Sequence, residues 1–429
     1  MQHRSVALAF AASALVLASC AGADRGTAVD PTVFHYPTGI TLDPGGDWLY
    51  VVSTNFDDLY HGGTVLPFSL AAFEQLLPTA TPGAPGEPPR VALSDPKIAP
   101  PSAIEINSFG GDIAILGKDG VGAEGFVATR AGDVVEYFGV NRNLGKPKLD
   151  CGTGDGVVAC GSDHQIGLTW NDPLGLADAL PGRDPFGLTI GYGLNTGAAD
   201  STEPRVVYAG SILDGTLALL TLDAKYQPTL TGVVQLSAGL HSIVEGPLVG
   251  ARRVIYVSNH TSNSIHVVDL TRDAGSNLVL SARDSISVPE TSSAGDFFRG
   301  MALSKDQRRL YVACRSPTSL AVFDVDEVGK ATLRGLVPLH GGPSMVAVGE
   351  EAGNERVFVT DFVAAGLYVI DPAGMDVTDR IVVGPGPYGL VLAGTPVRAF
   401  ITLFEDNSVS VVDLDPASKT FHTEIARIK

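Results

Sequence analysis

VIYVSNHTSNSIHVVDL, residues 254–270, reads as two short apolar strands around a polar turn. The same pattern returns as RLYVACRSPTSLAVFDV (309–325) and as RAFITLFEDNSVSVVDL (398–414). Aligning the second strand of this hairpin finds seven copies: GTVLPFSL (63–70), GDVVEYFGV (132–140), GTLALLTLD (215–223), NSIHVVDL (263–270), TSLAVFDV (318–325), AGLYVIDP (365–372) and NSVSVVDL (407–414). Each begins with a small or polar turn residue and continues as an apolar strand. Most carry an Asp near the end, where its side chain can bond the backbone of the next turn.

The strand before each copy carries an aromatic each time: Tyr50, Phe126, Tyr208, Tyr256, Tyr311, Phe358 and Phe400. Upstream lies a further short strand, as in PTGITLD (37–43), DPFGLTIG (184–191), FRGMALS (298–304) and PYGLVLAG (387–394). A fourth follows the hairpin, clearest at DRIVVGPG (379–386). Four strands per unit in seven units predict an all-β fold, a seven-bladed β-propeller with four-stranded antiparallel blades. The strands are nearly all apolar rather than alternating, as expected when each blade is sandwiched between two others. Gly39, Gly187, Gly300 and Gly389, at the start of first strands, suit the axis where backbones converge.

YVSN at 256–259, NSIHVVDL after it and VVGPGPYGLVLA (382–393) resemble the YVTN-repeat β-propellers of bacterial cell envelopes. The resemblance covers residues 33–429, strongest in blades 4–7 and weaker in blades 1–3. Seven blades of about 43 residues need roughly 300, so the surplus is placed in a tether (20–32), in insertions at about 71–103 and 141–182, and in the stretch 192–204. Within the first insertion, 78–101 holds eight prolines in 24 residues. It is expected to be a stiff surface excursion and not a strand.

The N-terminus is separable. Arg4 lies in a charged start, an apolar run extends from Val6 to Leu17, and Leu17-Ala18-Ser19-Cys20 follows. The run is short for a bilayer span and reads as a secretory signal over 1–19. Its last four residues resemble the bacterial lipobox, which implies lipidation of Cys20. Ala21 in place of Asp implies the outer membrane by resemblance to Gram-negative sorting rules. The alternative is an ordinary cleavable signal with an incidental Cys. The expected location is the bacterial cell envelope, with a lipid anchor and a monomeric propeller. A formal charge of −18 argues against nucleic acid as a partner. In an oxidising periplasm, Cys151 and Cys160 are expected to form a disulfide; a metal site adding Asp163 or His164 is the alternative. Cys314 reads as a small core residue.

Motifs for haem attachment, zinc proteases, serine hydrolases and nucleotide-binding loops are absent, and no cofactor or metal is expected. The residue entering each first strand should point to the axial funnel: Thr38, Gly111, Phe186, His241, Arg299, Ser344 and Tyr388. Two aromatics, a histidine and an arginine around one opening suit a small ligand or peptide, although a water-filled polar channel would look the same. His241 and Glu245 lie about 13 Å apart along one strand, too far for a catalytic pair. Arg205, Arg253, Arg309, Arg356 and Arg398 recur two or three residues before the second-strand aromatic, on the face opposite the funnel. They would either dock an acidic partner or sit beside Glu203, Asp306 and Glu355. NFDDLYHGG (55–63) offers Asp57, Asp58 and His61 to a cation. The reading is a non-enzymatic binding or scaffold module for an envelope protein or small ligand. The alternative is a lactonase- or lyase-like propeller enzyme using the funnel residues.

Overall fold

The seven second-strand aromatics are all buried, at most 1% exposed, and they mark seven sheets in the computed structural model. The structure describes residues 26–429 except 96, 99–101, 119–121, 142–146, 153–156, 171–179, 181, 196–204 and 289–296. The signal segment and Cys20 lie outside the described residues. Each sheet contains four antiparallel strands running outwards in chain order, and the innermost strands of successive sheets contact one another in a closed ring. This is a seven-bladed β-propeller. Blade 1, for example, runs Pro37–Leu42, Trp48–Ser53, Gly63–Ser69 and Ile104–Ile106; blade 4 runs Leu240–Val249, Arg252–Asn259, Ile265–Arg272 and Leu278–Ala282. The buried apolar residues fall into seven clusters, one between each pair of neighbouring blades. Two buried faces per blade explain the unalternated strands.

The ring closes without a shared strand. Thr423–Ile428 completes blade 7 from the C-terminal end, and Pro37–Leu42 starts blade 1. The junction between these blades has the largest apolar cluster, seventeen of the described residues. The first insertion supplies much of it. Ser69 caps the helix Leu70–Leu76 by accepting from Ala72 N–H at 3.2 Å, and Phe73 of that helix packs against Phe400 at 5.8 Å between ring centres. Against expectation, the proline-rich stretch also contains a strand. Arg90–Val91 pairs in parallel with Thr423–Ile428. Prolines do not prevent this, because Pro89 contributes its carbonyl, which accepts from Arg427 N–H at 2.9 Å. Leu93 and Ile98, fully buried behind it, make the stretch part of the core rather than a surface excursion.

The second insertion also joins sheets. Lys148–Asp150 and Gln165–Gly167 extend blade 2, and Val158–Ala159 pairs in parallel with blade 1. Cys151 and Cys160 are joined by a disulfide, with Cα atoms 4.9 Å apart. Cys314 is fully buried, and burial pushes its thiol up to about 11.

Three hydroxyls stitch adjacent blades near the axis. Thr402 Oγ1 accepts from Gly389 N–H at 2.7 Å within blade 7 and donates to Thr38 O of blade 1 at 2.8 Å. Thr360 does the same between Met345 and Tyr388, and Ser258 between Ser242 and Arg299. The hydroxyl residue of YVSN is thus an inter-blade fastener. Its asparagine, Asn259, accepts from the N–H groups of Thr261 and Ser262 at 2.8 and 2.9 Å and shapes the hairpin turn.

Candidate functional site

Every innermost strand carries a β-bulge at the same place, one residue longer than its partner strand. The irregularity falls at Thr38, Gly111, Phe186, His241, Arg299, Ser344 and Tyr388. A bulge re-aims the side chain it contains, and here it turns one residue per blade to the axis. The next position approaches the following blade closely. A Cβ on Gly39, Gly187 or Gly389 would lie 2.5, 2.3 or 2.1 Å from the carbonyl oxygen of Gly111, His241 or Thr38, so these positions exclude side chains. Blade 2 places Asp112 at this step.

Above this ring is a second one. Thr54, Arg130, Ile212, His260, Arg315, Phe362 and Phe404 each follow the buried aromatic of their blade by four residues, and all seven line the same cavity. The sequence reading missed them. Their side chains share no chemical type, only a register, and the fixed offset from the aromatic was the signal available. The cavity between the rings measures about 340 Å³ and is also bounded by Phe56, Phe109, Thr38, Phe186, His241, Arg299 and Tyr388. Ser344 does not line it. That side chain is fully buried, accepting from Arg315 Nη2 at 2.9 Å and donating to Gly342 O at 3.2 Å, so it positions Arg315.

The wall is divided. Blades 6, 7 and 1 present an aromatic belt in which Phe404 lies 5.4 Å from Phe56, 6.0 Å from Phe362 and 5.0 Å from Tyr36. Blades 2, 4 and 5 present Arg130, His260, Arg299 and Arg315. Arg130 donates through Nε and Nη2 to Asp184, the latter at 3.1 Å. Arg315 donates through Nε to Pro343 O at 3.2 Å and through Nη2 to Ser344 Oγ at 2.9 Å.

At the floor, His241 Nε2 and Tyr388 OH share a hydrogen bond of 3.1 Å, and Phe186 packs 4.9 Å from the imidazole. His241 is 1% exposed and its Nδ1 has no hydrogen-bond partner among the described residues. Burial holds this imidazole well below its usual range, with Arg299, His260 and Arg315 adding to the effect. Burial also pushes the Tyr388 phenol up, with Asp112 next in effect. Asp112 accepts from Leu188 N–H at 3.3 Å, and burial pushes its carboxyl up to about 7. At neutral pH the ring is therefore built from a neutral histidine, a protonated tyrosine and permanently charged arginines.

The remaining candidates are placed elsewhere. Glu245 is separate from His241: it accepts from Tyr192 and Gly193 N–H at 2.8 and 2.9 Å and from Tyr208 OH at 3.1 Å. The five arginines on the opposite face have partners. Arg253 bonds the carbonyls of Gly193 and Asn195 at 2.8 and 2.5 Å, and Arg398 pairs with the buried Asp413. Arg309 lies 3.9 Å from Glu355, Arg356 lies 3.5 Å from Glu351, and Arg205 stacks over Tyr192. Glu203 lies outside the described residues. Asp57 pairs with His35 at 2.7 Å rather than joining Asp58 and His61, and no cluster of three metal-ligating side chains occurs among the described residues.

No family model and no curated protein matches the chain. Its likeness is to solved structures and concerns the fold. A protein from Lactobacillus plantarum is 16% identical, with 85% of this chain and 87% of that one covered and a TM-score of 0.51. Kuenenia stuttgartiensis hydrazine synthase is 12% identical over 92% of this chain and 98% of that one, TM-score 0.54. The periplasmic gluconolactonase of Pseudomonas aeruginosa is 14% identical over 86% and 88%, TM-score 0.50.

Proposed function

We propose that this propeller is a binding module of the bacterial cell envelope, of the YVTN-repeat kind and lipid-anchored through Cys20. In this reading its funnel takes a small organic anion with an apolar or aromatic portion. The divided wall of the 340 Å³ cavity is the observation that carries it. A concave site of this size with a few convergent polar groups suits a small molecule. Guanidinium groups match a carboxylate and also stack on flat rings, while the belt of Phe56, Phe404 and Phe362 offers apolar contact opposite them.

The test is calorimetric titration with phenylacetate, and with phenylethanol as the uncharged control. Phenylacetate is expected to bind, and the Arg299→Ala, Arg315→Ala double variant to bind on the order of tenfold to a hundredfold more weakly, the effect of losing charge-assisted hydrogen bonds. Equal binding of the acid and the alcohol, or of wild type and variant, would refute the anion site.

An enzymatic reading has one specific support, the buried Nδ1 of His241 at the cavity wall. A neutral imidazole there is suited to general-base chemistry on a lactone, and the gluconolactonase shares the fold. Turnover of gluconolactone that disappears in His241→Asn would favour this reading over simple binding.

A further inference from the structure

The described chain begins on the funnel side of the disc. Thr27 bridges to Tyr60 on the second-to-third-strand hairpin of blade 1, donating from its N–H to Leu59 O at 2.9 Å, and its carbonyl accepts from His61 N–H at 2.9 Å. Only six residues, 21–26, separate the anchored Thr27 from Cys20. The seven Cα steps from Cys20 to Thr27 span at most about 25 Å. An innermost strand such as Pro37–Leu42 is itself about 20 Å long, so a chain leaving this hairpin, which must first pass over the outer strand of the blade, lacks the reach to round the disc to the other face.

The same face carries exposed apolar side chains at its hairpin tips: Phe56 at 53%, Leu59 at 49%, Leu213 at 57% and Val363 at 72% exposed. Phe56 joins the aromatic belt, Leu213 follows Ile212 and Val363 follows Phe362, so these tips surround the cavity mouth. The opposite face is built from charged turns, at 304–308, 326–330, 351–354 and 371–376. Its exposed apolar residues, Tyr192, Val328, Val377 and Val397 among the described residues, are scattered singly over four blades, and Arg205 covers the ring of Tyr192.

We propose that the mouth face is a membrane-docking surface, with the funnel opening towards the phospholipid leaflet that holds Cys20. The inference rests on the reading of Cys20 as the lipidated residue. Aromatic and aliphatic tips at the headgroup boundary are the side chains that favour that layer. The short tether keeps them at high local concentration beside it. Acyl chains on Cys20 supply the attachment, and the tips set the orientation.

The test uses the full lipidated protein in vesicles of phosphatidylethanolamine and phosphatidylglycerol with brominated acyl chains. A fluorophore is attached at Leu213→Cys in one preparation and at Val328→Cys in the other. Quenching is expected to be on the order of fivefold stronger at Leu213, because only groups within the ~5–10 Å interfacial layer approach the bromines. Adding Phe56→Asp and Val363→Asp should abolish the difference while the protein stays on the vesicles. Equal quenching at the two sites, or stronger quenching at Val328, overturns the proposal. So does a mass measurement finding Cys20 unacylated in the mature protein. Neither result affects the phenylacetate titration, which reads the funnel alone, so failure of the docking and failure of the anion site are distinguishable.

Discussion

The two faces of this disc are made by the same strands, yet arginines meet different surroundings on them. On the far face, arginines two or three residues before the buried aromatic are neutralised where they stand. Arg398 and Asp413 are both nearly fully buried and form an ion pair, and Arg253 is consumed by backbone carbonyls and Glu245. On the mouth face, the residue four after that aromatic opens onto a cavity. One short strand thus carries a structural cation at one end and a ligand-facing position at the other. What separates them is register: one position packs its side chain into the blade edge and the other turns it to the cavity wall, a property invisible in the residue type.

The sharpest way to break this comparison is to remove one far-face arginine. Arg398→Ala strands Asp413 as a buried carboxylate, and breaking a buried pair by deleting one partner costs roughly 3–5 kcal/mol. Urea unfolding should report that loss, while phenylacetate affinity of the folded variant stays at the wild-type value. If Arg398→Ala instead weakened the ligand and left stability intact, the division of roles between the faces would be wrong.

A smaller effect is expected at the fasteners. Thr402→Val keeps the shape but leaves Gly389 N–H and Thr38 O without their shared hydroxyl. Unsatisfied buried groups cost about 1–3 kcal/mol. Thr360→Val and Ser258→Ala delete the same device at other junctions. Because blades 7 and 1, unlike the other neighbours, are not joined by a chain connection, Thr402→Val should lower the unfolding midpoint the most. Equal losses at all three positions would mean that the insertion's helix and strand, together with the apolar cluster, already close the ring.

These fasteners also indicate how far the sequence could be read. Seven aromatics at repeating positions gave seven blades, because large apolar side chains in short strands have one place to go when both sheet faces are covered. The lower ring was legible because the turn residue before each first strand is easy to align. Ser344 was an exception, since its burial under Arg315 depends on a side chain from a different blade. The upper ring went unseen: its residues have nothing in common but their distance from Tyr50, Phe126 and their equivalents. The proline-rich strand was missed because proline's lost donor was weighed and the carbonyl of Pro89, still able to accept, was not.

The finest test concerns Asp112, the acid standing where blades 1, 3, 5 and 7 place glycine. Its carboxyl is pushed from 3.8 up to about 7 by burial, so the folded protein holds this proton through a range in which the unfolded chain has released it. Wild-type stability should therefore decline as pH rises from the unfolded value towards 7, and level off above it; Asp112→Asn should lack that decline. Binding follows the same sign. Below 7 the acid is neutral, whereas above 7 a carboxylate near Tyr388 repels an incoming anion. Titrated about 1.5 pH units either side of 7, wild-type affinity for phenylacetate should fall threefold to tenfold on the alkaline side, about 1 kcal/mol for like charges several ångström apart in a partly screened site. Asp112→Asn should be flat across the same interval. A variant as pH-dependent as the wild type would place the titrating group elsewhere. Asp112 acts on the phenol of Tyr388, which hydrogen-bonds His241, so the search would then move outward to the other groups that line the cavity.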